Sequence, residues 1–217
     1  MVDIIIPSCK PIEELRQLTS AHTYHTFEED CNVIETGFPC SAAVNRNYGL
    51  LRSQESNNEF IIMMDDDIGG FFNGWYKLLI DTLKENKDVS LVSARLMTPH
   101  GEFGPMMGVD NNASQILSPV SKAVLSACIA FRKEDIIGKI RFDENFVGSG
   151  FEDTLFCHHL HCSNPDSRFV VNNKCRLIHY HEMKNQAGKN FEHNKKHFLK
   201  MCIDTEMNNV IKEMRTV

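Results

Sequence analysis

The sequence predicts an α/β fold, in which one domain has a mostly parallel central sheet flanked by helices. Three observations indicate it. Short apolar runs rich in β-branched residues alternate with segments of helical periodicity. Polar or turn-forming residues end each run, which is typical of strands in a buried parallel sheet. The chain has 217 residues and no internal repeat or linker-like stretch, so its length suits one domain with a sizeable core.

The first half of the chain contains four predicted strands and three predicted helices. The strands are the runs at 2–6, 31–35, 60–64 and 89–94. The first helix begins after Pro11, and the other two span 42–52 and 75–86. Proline suits the first turn of a helix, and Ser41 is a good N-cap for the second helix. The run at 60–64 is wholly apolar and precedes three aspartates, which predicts a buried strand with a polar end.

The second half of the chain has weaker patterns. Strands are predicted at 124–131, 168–171 and 175–181, and helices at 152–160 and 191–214. Residues 99–119 are rich in Gly, Pro, Asn and Met and show no periodicity. Connections of this length are usually functional, so this segment is a candidate lid over a binding site.

Composition and charge are those of an ordinary globular protein, with 42% hydrophobic residues, 24% charged residues and a net charge of −6. A protein that binds the nucleic-acid backbone usually has more basic than acidic residues, so the negative net charge disfavours a nucleic-acid-binding protein. The N-terminus lacks the pattern of a secretory signal, and no apolar run approaches the roughly 18 residues that span a bilayer. We therefore expect no membrane segment and a cytoplasmic protein, or one of the host cytoplasm if the chain is viral. Its eight cysteines are expected to be free thiols.

The acidic triplet Asp65-Asp66-Asp67 is the strongest local signal. Adjacent carboxylates repel one another, and Mg²⁺-type ions are commonly held by one or two carboxylates together with substrate phosphates. Asp65 and Asp67 share a face if the strand geometry continues, so they are the expected metal pair, with Asp66 pointing the other way. The alternative is a solvated acidic turn that caps the next helix.

Polar residues also follow the other early strands. Pro7 and Ser8 follow the first strand, and Glu35 ends the second. In parallel α/β sheets, ligands bind beyond the carboxyl ends of the strands. These residues and the triplet are therefore expected to line one ligand site.

Three blocks occur in order along nearly the whole chain. The first runs from Asn45-Arg-Asn-Tyr-Gly49 to the triplet, the second is Gly148-Ser-Gly-Phe-Glu-Asp153, and the third is 175–181 with Lys184-Asn185 after it. Together they resemble the GT-A glycosyltransferases, the family-2 type especially. The first block is similar to their Ala-Arg-Asn-x-Gly helix and D-x-D motif, and the second to their Gly-x-Gly-x-Glu-Asp segment. The third resembles the metal-binding histidine strand of the β-1,4-galactosyltransferase branch.

The resemblance implies a single Rossmann-like GT-A domain over residues 1–217. Residues 1–98 would form the nucleotide-sugar-binding half, and 99–217 the acceptor-binding and catalytic half. The implied reaction moves a sugar from a nucleoside-diphosphate sugar, with a UDP-sugar as the expected donor, to a hydroxyl acceptor. Mn²⁺ or Mg²⁺ would be the cofactor, and a positioned base would imply inversion at the anomeric carbon.

By the same resemblance, Asp153 is the catalytic base and Glu152 positions the acceptor. The transfer needs a group that takes the proton of the acceptor hydroxyl, and a carboxylate in a partly dry site has a raised pKa that suits this task. Gly148 and Gly150 would let the backbone approach the sugar closely. The alternative is an ordinary helix N-terminus, where acidic residues favour the helix dipole.

Two histidines complete the predicted metal site. His179 and His181 lie two positions apart on a predicted strand, so both face one side. One of them would join Asp65 and Asp67 at the metal, and an imidazole favours Mn²⁺ over Mg²⁺. A surface strand with ordinary histidines is the alternative. A zinc site in the Cys- and His-rich run 157–162 is disfavoured, because no second pair is spaced to complete four ligands.

The expected donor site comprises Pro7, Ser8, Glu35, Arg46, Asn47, Asp65 and Asp66. By resemblance, Arg46 and Asn47 frame the nucleotide or the D-x-D strand. A structural role for Arg46, tying its helix to an aspartate of the triplet, is the alternative. Family-2 enzymes usually have Asp at the position of Glu35.

The expected acceptor is a glycan or a small molecule, and a modified DNA base, as in phage-type enzymes, is a minority alternative because the chain is acidic. A non-catalytic nucleotide-sugar or carbohydrate-binding protein of the same fold is the alternative outside enzymes. A sugar nucleotidyltransferase would have a glycine-rich loop after the first strand. Pro7-Ser-Cys-Lys-Pro11 contains no glycine, which disfavours that class.

Overall fold

In the part of the chain that the structure describes, a sheet of seven strands has helices on both faces. The computed structural model describes residues 1–14, 31–101, 124, 126–148, 150–180 and 190–215, with side chains up to residue 204. The strands are β1 Val2–Ser8, β2 Cys31–Gly37, β3 Phe60–Met64, β4 Ile68–Gly69, β5 Val89–Met97, β6 Cys128–Arg132 and β7 Arg168–His179. The helices are α1 Ala42–Ser53, α2 Trp75–Glu85, α3 Lys133–Ile136, α4 Glu152–Ser163 and α5 Phe191–Arg215.

The sheet has the strand order β2-β1-β3-β6-β5-β7-β4. Strands β1, β2 and β3 are mutually parallel, β5 is parallel to β7, and β6 lies antiparallel between β3 and β5. Five of these strands therefore point the same way, while β6 and β4 oppose them. The predicted single α/β domain with a mostly parallel sheet is confirmed.

Strands β1, β3, β5 and β6 are buried on both faces, which explains their largely apolar sequence. In β3, Phe60, Ile62 and Met64 pack into one core cluster with α2, and Ile61 and Met63 pack into the other with α1 and α4. Alternate residues of a strand point to opposite faces, so the sheet separates two apolar layers. The carboxyl ends of β1 and β3 are held side by side between these layers.

Helix α1 lies directly on β1. The Ser41 side chain accepts a hydrogen bond of 3.3 Å from the Val44 amide, which confirms the predicted N-cap. Gly49 faces Ile5, and a Cβ at Gly49 would overlap with Cγ2 of Ile5. This close approach brings the inner face of α1, including Arg46, against the end of the sheet.

Two predicted strands differ from those observed. The strand predicted at 124–131 begins at Cys128, and residues 126–127 form a turn. The strands predicted at 168–171 and 175–181 are one strand, β7, with an irregularity between Asn172 and Arg176 in its pairing with β5. The Asn172 side chain accepts hydrogen bonds from the amides of Lys174 and Cys175, which stabilises the irregular stretch. Strand β4 and helix α3 are too short to give a sequence signal.

Several expectations fall on residues outside the described ranges. Residues 12–14 are helical, and the rest of the helix predicted after Pro11 lies outside them. His181 and most of the predicted lid at 99–119 also lie outside. The eight cysteines are free thiols, as expected. Within the described part of the chain, no helix has both the length and the apolar character needed to cross a membrane.

Candidate active site

Two aspartates of the triplet and one histidine form a cluster at the end of the sheet. One ligand atom each from Asp65, Asp67 and His179 lies within 4.8 Å of the others. Asp65 follows β3, Asp67 lies in the turn before β4, and His179 ends β7. The antiparallel pairing of β4 with β7 places Ile68 opposite His179, which brings the histidine beside Asp67. This short pairing is what assembles the cluster.

The cluster has the donor atoms that suit a cation such as Mn²⁺. His179 Nε2 lies 3.2 Å from Asp67 Oδ1, and both side chains are partly exposed. Burial alone would lower the pKa of His179, but the hydrogen bond with Asp67 and the charges of Asp67 and Asp65 raise it above its ordinary value. The two carboxylates therefore attract positive charge, and the oxygen and imidazole donors fit Mn²⁺.

Asp66 points away from this cluster, as its place between Asp65 and Asp67 predicts. Its Oδ2 accepts hydrogen bonds from Ser8 Oγ at 2.6 Å and from Lys10 Nζ at 2.9 Å. Asp66 therefore joins the triplet to the end of β1. Lys10 is a site residue that the sequence reasoning missed, although a basic residue just after the first strand was a visible signal.

Arg46 is a buried bridge between the triplet and the second acidic pair. Its Nη2 donates to Asp65 at 3.0 Å and its Nη1 to Glu152 at 2.9 Å. Its guanidinium carbon lies 5.3 Å from the centre of the Phe142 ring. Burial works against the charged form, but Asp65 and Glu152 outweigh it and raise the pKa of Arg46. The structure thus shows Arg46 tying α1 to an aspartate of the triplet, the structural role that the sequence left open.

Glu152 and Asp153 form the first turn of α4 but have different surroundings. Glu152 is buried and engaged by Arg46 and by the Gly150 amide. Asp153 is half-buried, accepts a hydrogen bond of 2.7 Å from the Thr154 amide and faces the Ser126 amide at 3.5 Å. Burial and the charge of Glu152 raise the pKa of Asp153 to about 6, although Arg46 opposes the shift. A carboxylate with this pKa can accept a proton near neutral pH.

One cavity of about 730 Å³ connects these groups. The predicted site residues that line it are Pro7, Ser8, Arg46, Asp65, Asp66, Asp67, Glu152, Asp153 and His179. Lys10 and Ser126 line it as well, and Phe151 and Phe191 add an aromatic side. The metal-type cluster and the raised-pKa carboxyl therefore open into the same space.

Two predicted donor-site residues lie elsewhere. The Asn47 side chain donates 2.8 Å hydrogen bonds to the Phe142 carbonyl and to Glu144, and it accepts one from the Phe142 amide. Glu35 borders a second cavity of about 530 Å³, between β2 and α1. Asn47 is thus engaged in fixing residues 142–144, and Glu35 lies outside the lining of the first cavity.

The Cys- and His-rich run at 157–162 does not form a comparable cluster. His158 Nε2 and Cys162 Sγ lie 3.7 Å apart, one helical turn from each other. In the described residues, the only group of three or more metal-type side chains within bonding range of one another is Asp65, Asp67 and His179. The structure therefore gives no support to the zinc alternative in this part of the chain.

Comparison with known proteins gives structural matches only. No protein-family model and no curated protein sequence matches the chain. GalNAc-T7, crystallised with UDP, GalNAc and Mn²⁺, matches with a TM-score of 0.60 and 11% identity, over 93% of this chain and 47% of that one. TarS 1-349 of S. aureus matches with a TM-score of 0.55 and 16% identity, over 82% of this chain and 60% of that one. A197 from STIV matches with a TM-score of 0.52 and 13% identity, over 86% of this chain and 97% of that one.

The matched structures are GT-A glycosyltransferases, and the chain spans about half of the first and three-fifths of the second. Sequence identities of 11–16% relate the folds alone. The expected fold is confirmed by these matches, which cover most of the present chain. The chain has the GT-A glycosyltransferase fold.

Proposed function

We propose that the chain is a metal-dependent, inverting glycosyltransferase that moves a sugar from a nucleoside-diphosphate sugar to a hydroxyl acceptor. The observation that carries the proposal is the shared cavity. It holds an Asp-Asp-His cluster suited to a divalent cation and, in Asp153, a carboxyl with a pKa raised to about 6. The GalNAc-T7 structure contains UDP and Mn²⁺, which supports UDP-sugars as the first donors to test.

Asp65, Asp67 and His179 are the residues that would hold Mn²⁺ or Mg²⁺, and the imidazole favours Mn²⁺. When bound there, the cation would neutralise the donor diphosphate and stabilise it as a leaving group. The buried Arg46 side chain pairs with the partly exposed Asp65 at 3.0 Å, so the Asp65 side chain is oriented before a ligand arrives. Pro7, Ser8 and Lys10 line the cavity beside the cluster and are proposed donor contacts.

Asp153 is the proposed general base. As the acceptor oxygen bonds to the anomeric carbon, its proton passes to the Asp153 carboxylate and the bond to the nucleoside diphosphate breaks. Glu152 is ion-paired with Arg46, which holds its side chain in one position. In this scheme Glu152 transfers no proton, and its proposed role is to position the acceptor. A single displacement of this kind inverts the configuration of the anomeric carbon.

The stereochemistry of the product tests this proposal. Wild-type protein is incubated with UDP-sugars and Mn²⁺, together with glycan and small-molecule acceptors, and the anomeric protons of the product are followed by NMR. Inversion with loss of activity in Asp153→Asn is the expected result. A retained anomer would exclude Asp153 as the base of a single displacement.

The same assay separates the alternatives. UDP-sugar binding without UDP release or transfer would identify a nucleotide-sugar-binding protein of this fold. Transfer only to DNA that contains hydroxylated bases would assign the DNA-modifying class. The net charge of −6 disfavours that class, so glycan and small-molecule acceptors come first.

A further inference from the structure

The turn that leads into the proposed catalytic pair has an unfavourable backbone. Gly148, Gly150 and Phe151 have φ values of 71°, 110° and 71°. Among the described residues, Phe151 is the one non-glycine with positive φ. A bulky residue is rarely found in this region of φ, and such a conformation persists only where the surrounding structure holds it. Something outside the turn must therefore stabilise it.

The side chain of Asn194, on helix α5, makes the contacts that hold the turn. Its Nδ2 donates to the Val147 carbonyl at 3.1 Å and to the Gly150 carbonyl at 3.2 Å. Its Oδ1 accepts from the Val147 amide at 3.1 Å. Asn194 is fully buried, so leaving its side-chain amide without these partners would be costly. One amide thus fixes backbone groups on both sides of the turn.

Other contacts also attach helix α5 to the same region, including a ring stack and a polar contact. The Phe198 ring stacks on Phe151, with ring centres 5.5 Å apart. His197 Nε2 lies 2.7 Å from Asp143 Oδ2. These contacts fix the helix on which Asn194 stands, so the amide has a defined position relative to the turn.

The turn is connected directly to the proposed catalytic groups. The Gly150 amide donates to Glu152, Glu152 is paired with Arg46, and Arg46 is paired with Asp65. Asp153 is the next residue along α4. Asn194 itself is outside the set of described residues that line the cavity, so it has no direct access to a bound substrate.

We propose that Asn194 is a positioning residue, which holds the turn before α4 in the conformation that presents Asp153 to the cavity. Helix α5 is thereby part of the active site. This inference rests on the proposed function for its catalytic consequence, but the contacts between Asn194 and the turn exist independently of it.

The test uses Asn194→Asp, which keeps the size of the side chain and the acceptor for the Val147 amide. It removes the Nδ2 donor and places a carboxylate oxygen next to the carbonyl oxygens of Val147 and Gly150, which it repels. The matched control is Asn172→Asp. Asn172 also bridges backbone groups, since it donates to the Leu78 carbonyl and accepts from the Lys174 amide, but it lies between β7 and α2.

Three quantities are measured on the full chain: kcat for transfer, the Kd of UDP with Mn²⁺, and hydrogen exchange of the amides in residues 146–156. We expect Asn194→Asp to lower kcat by about tenfold to a hundredfold, as misplaced catalytic groups do. The Kd should stay within about twofold, because the backbone groups that the Asn194 side chain contacts are those of Val147 and Gly150, not the proposed metal ligands. Exchange in the turn should be faster, and Asn172→Asp should change neither kcat nor this exchange.

A wild-type kcat in Asn194→Asp, or an equal fall of kcat in Asn172→Asp, would overturn the proposal. So would unchanged exchange in residues 146–156. The exchange experiment needs no substrate, so it decides whether Asn194 holds the turn even if the wild-type chain transfers no sugar. The latter result would refute the proposed function alone.

Discussion

Asp153 is a carboxyl group whose surroundings favour its neutral form. Burial and the charge of Glu152 raise its pKa from an ordinary 3.8 to about 6. A general base must be ionised, so we predict that kcat/KM rises with pH and is half-maximal near pH 6. An unperturbed aspartate would give a midpoint near pH 4.

The titration of His179 must be separated from that of Asp153 in this profile. Protons compete with a metal at a histidine ligand, so a midpoint due to His179 would move when the Mn²⁺ concentration is raised. A midpoint due to Asp153 would stay in place. A flat profile between about pH 5 and 7 at saturating Mn²⁺ would contradict the role of Asp153.

Asp153→Asn should make the protein more stable at neutral pH while it strongly lowers the rate of transfer. Because the pKa of the folded state is raised, ionisation costs stability. The cost is absent below the unfolded pKa of about 3.8, grows as pH rises to about 6, and is complete above that. The rise from 3.8 to about 6 is two pKa units in round terms, so it corresponds to about 3 kcal/mol and to a gain in Tm of roughly 6–12 °C in a chain of this size.

The measurement is differential scanning calorimetry at pH 7.5 and pH 4, with the exposed Asp81→Asn as the control. The gain in Tm should be smaller at pH 4, and activity should fall by about 10²–10⁴-fold. A lower Tm at pH 7.5 would show that Asp153 stabilises the fold as an ion.

The buried Arg46 side chain gives a third prediction at the residue scale. Arg46→Met leaves the carboxylate of Glu152 buried without its partner, which should cost about 3–5 kcal/mol in the free energy of unfolding. The loss should be smaller in Arg46→Met with Glu152→Gln, because the second change removes the unpaired charge. Urea unfolding of the four proteins in this cycle measures the coupling, and additive losses would contradict it.

The pairing of Arg46 with Glu152 could not be predicted from the sequence. Arg46 and Glu152 are 106 positions apart, and no local pattern relates them. The sequence offered Arg46 as either a nucleotide contact or a tie to the triplet, and only the fold brings the two carboxylates to its guanidinium. The partners of Asn47 were unpredictable for a similar reason, since they are residues 142 and 144.

At the scale of elements, the contact between α1 and β1 sets the position of Arg46. Alanine is the better helix former, yet Gly49→Ala should destabilise the protein by about 1–2 kcal/mol, since the added methyl group overlaps with Ile5. The loss should shrink when Ile5→Ala is also present. Thermal unfolding measures the effect, with the exposed Leu51→Ala as the control on the same helix. A stabilising Gly49→Ala would mean that α1 moves freely relative to β1.

The elements themselves were largely predictable, because each depends on local composition. The apolar runs gave β1, β2, β3 and β5, and Ser41 gave the start of α1. Strand direction was not predictable, because the place of β6 between β3 and β5 depends on long-range pairing. The same holds for β4, two residues long, whose pairing with β7 brings His179 to Asp67.

At the scale of the whole molecule, the candidate site joins the two halves that the sequence suggested. Asp65 and Asp67 come from residues 1–98, and His179 and Asp153 from 99–217. The metal cluster therefore belongs to neither half alone. The division of donor and acceptor binding between the halves stays a prediction.

The central claim is that the cavity binds a nucleoside diphosphate through a divalent cation. Its most direct test is the thermal unfolding of the protein with UDP and Mn²⁺, UDP with a chelator, and Mn²⁺ alone. The variants are Asp67→Asn and, as the matched control, the exposed Asp81→Asn.

A ligand at about 100 times its Kd stabilises the native state by about 2.7 kcal/mol, which raises Tm by roughly 5–10 °C in a protein of this size. We predict that shift only with UDP and Mn²⁺ together. It should be lost in Asp67→Asn and kept in Asp81→Asn. An equal shift from UDP with the chelator, or a full shift in Asp67→Asn, would contradict the claim.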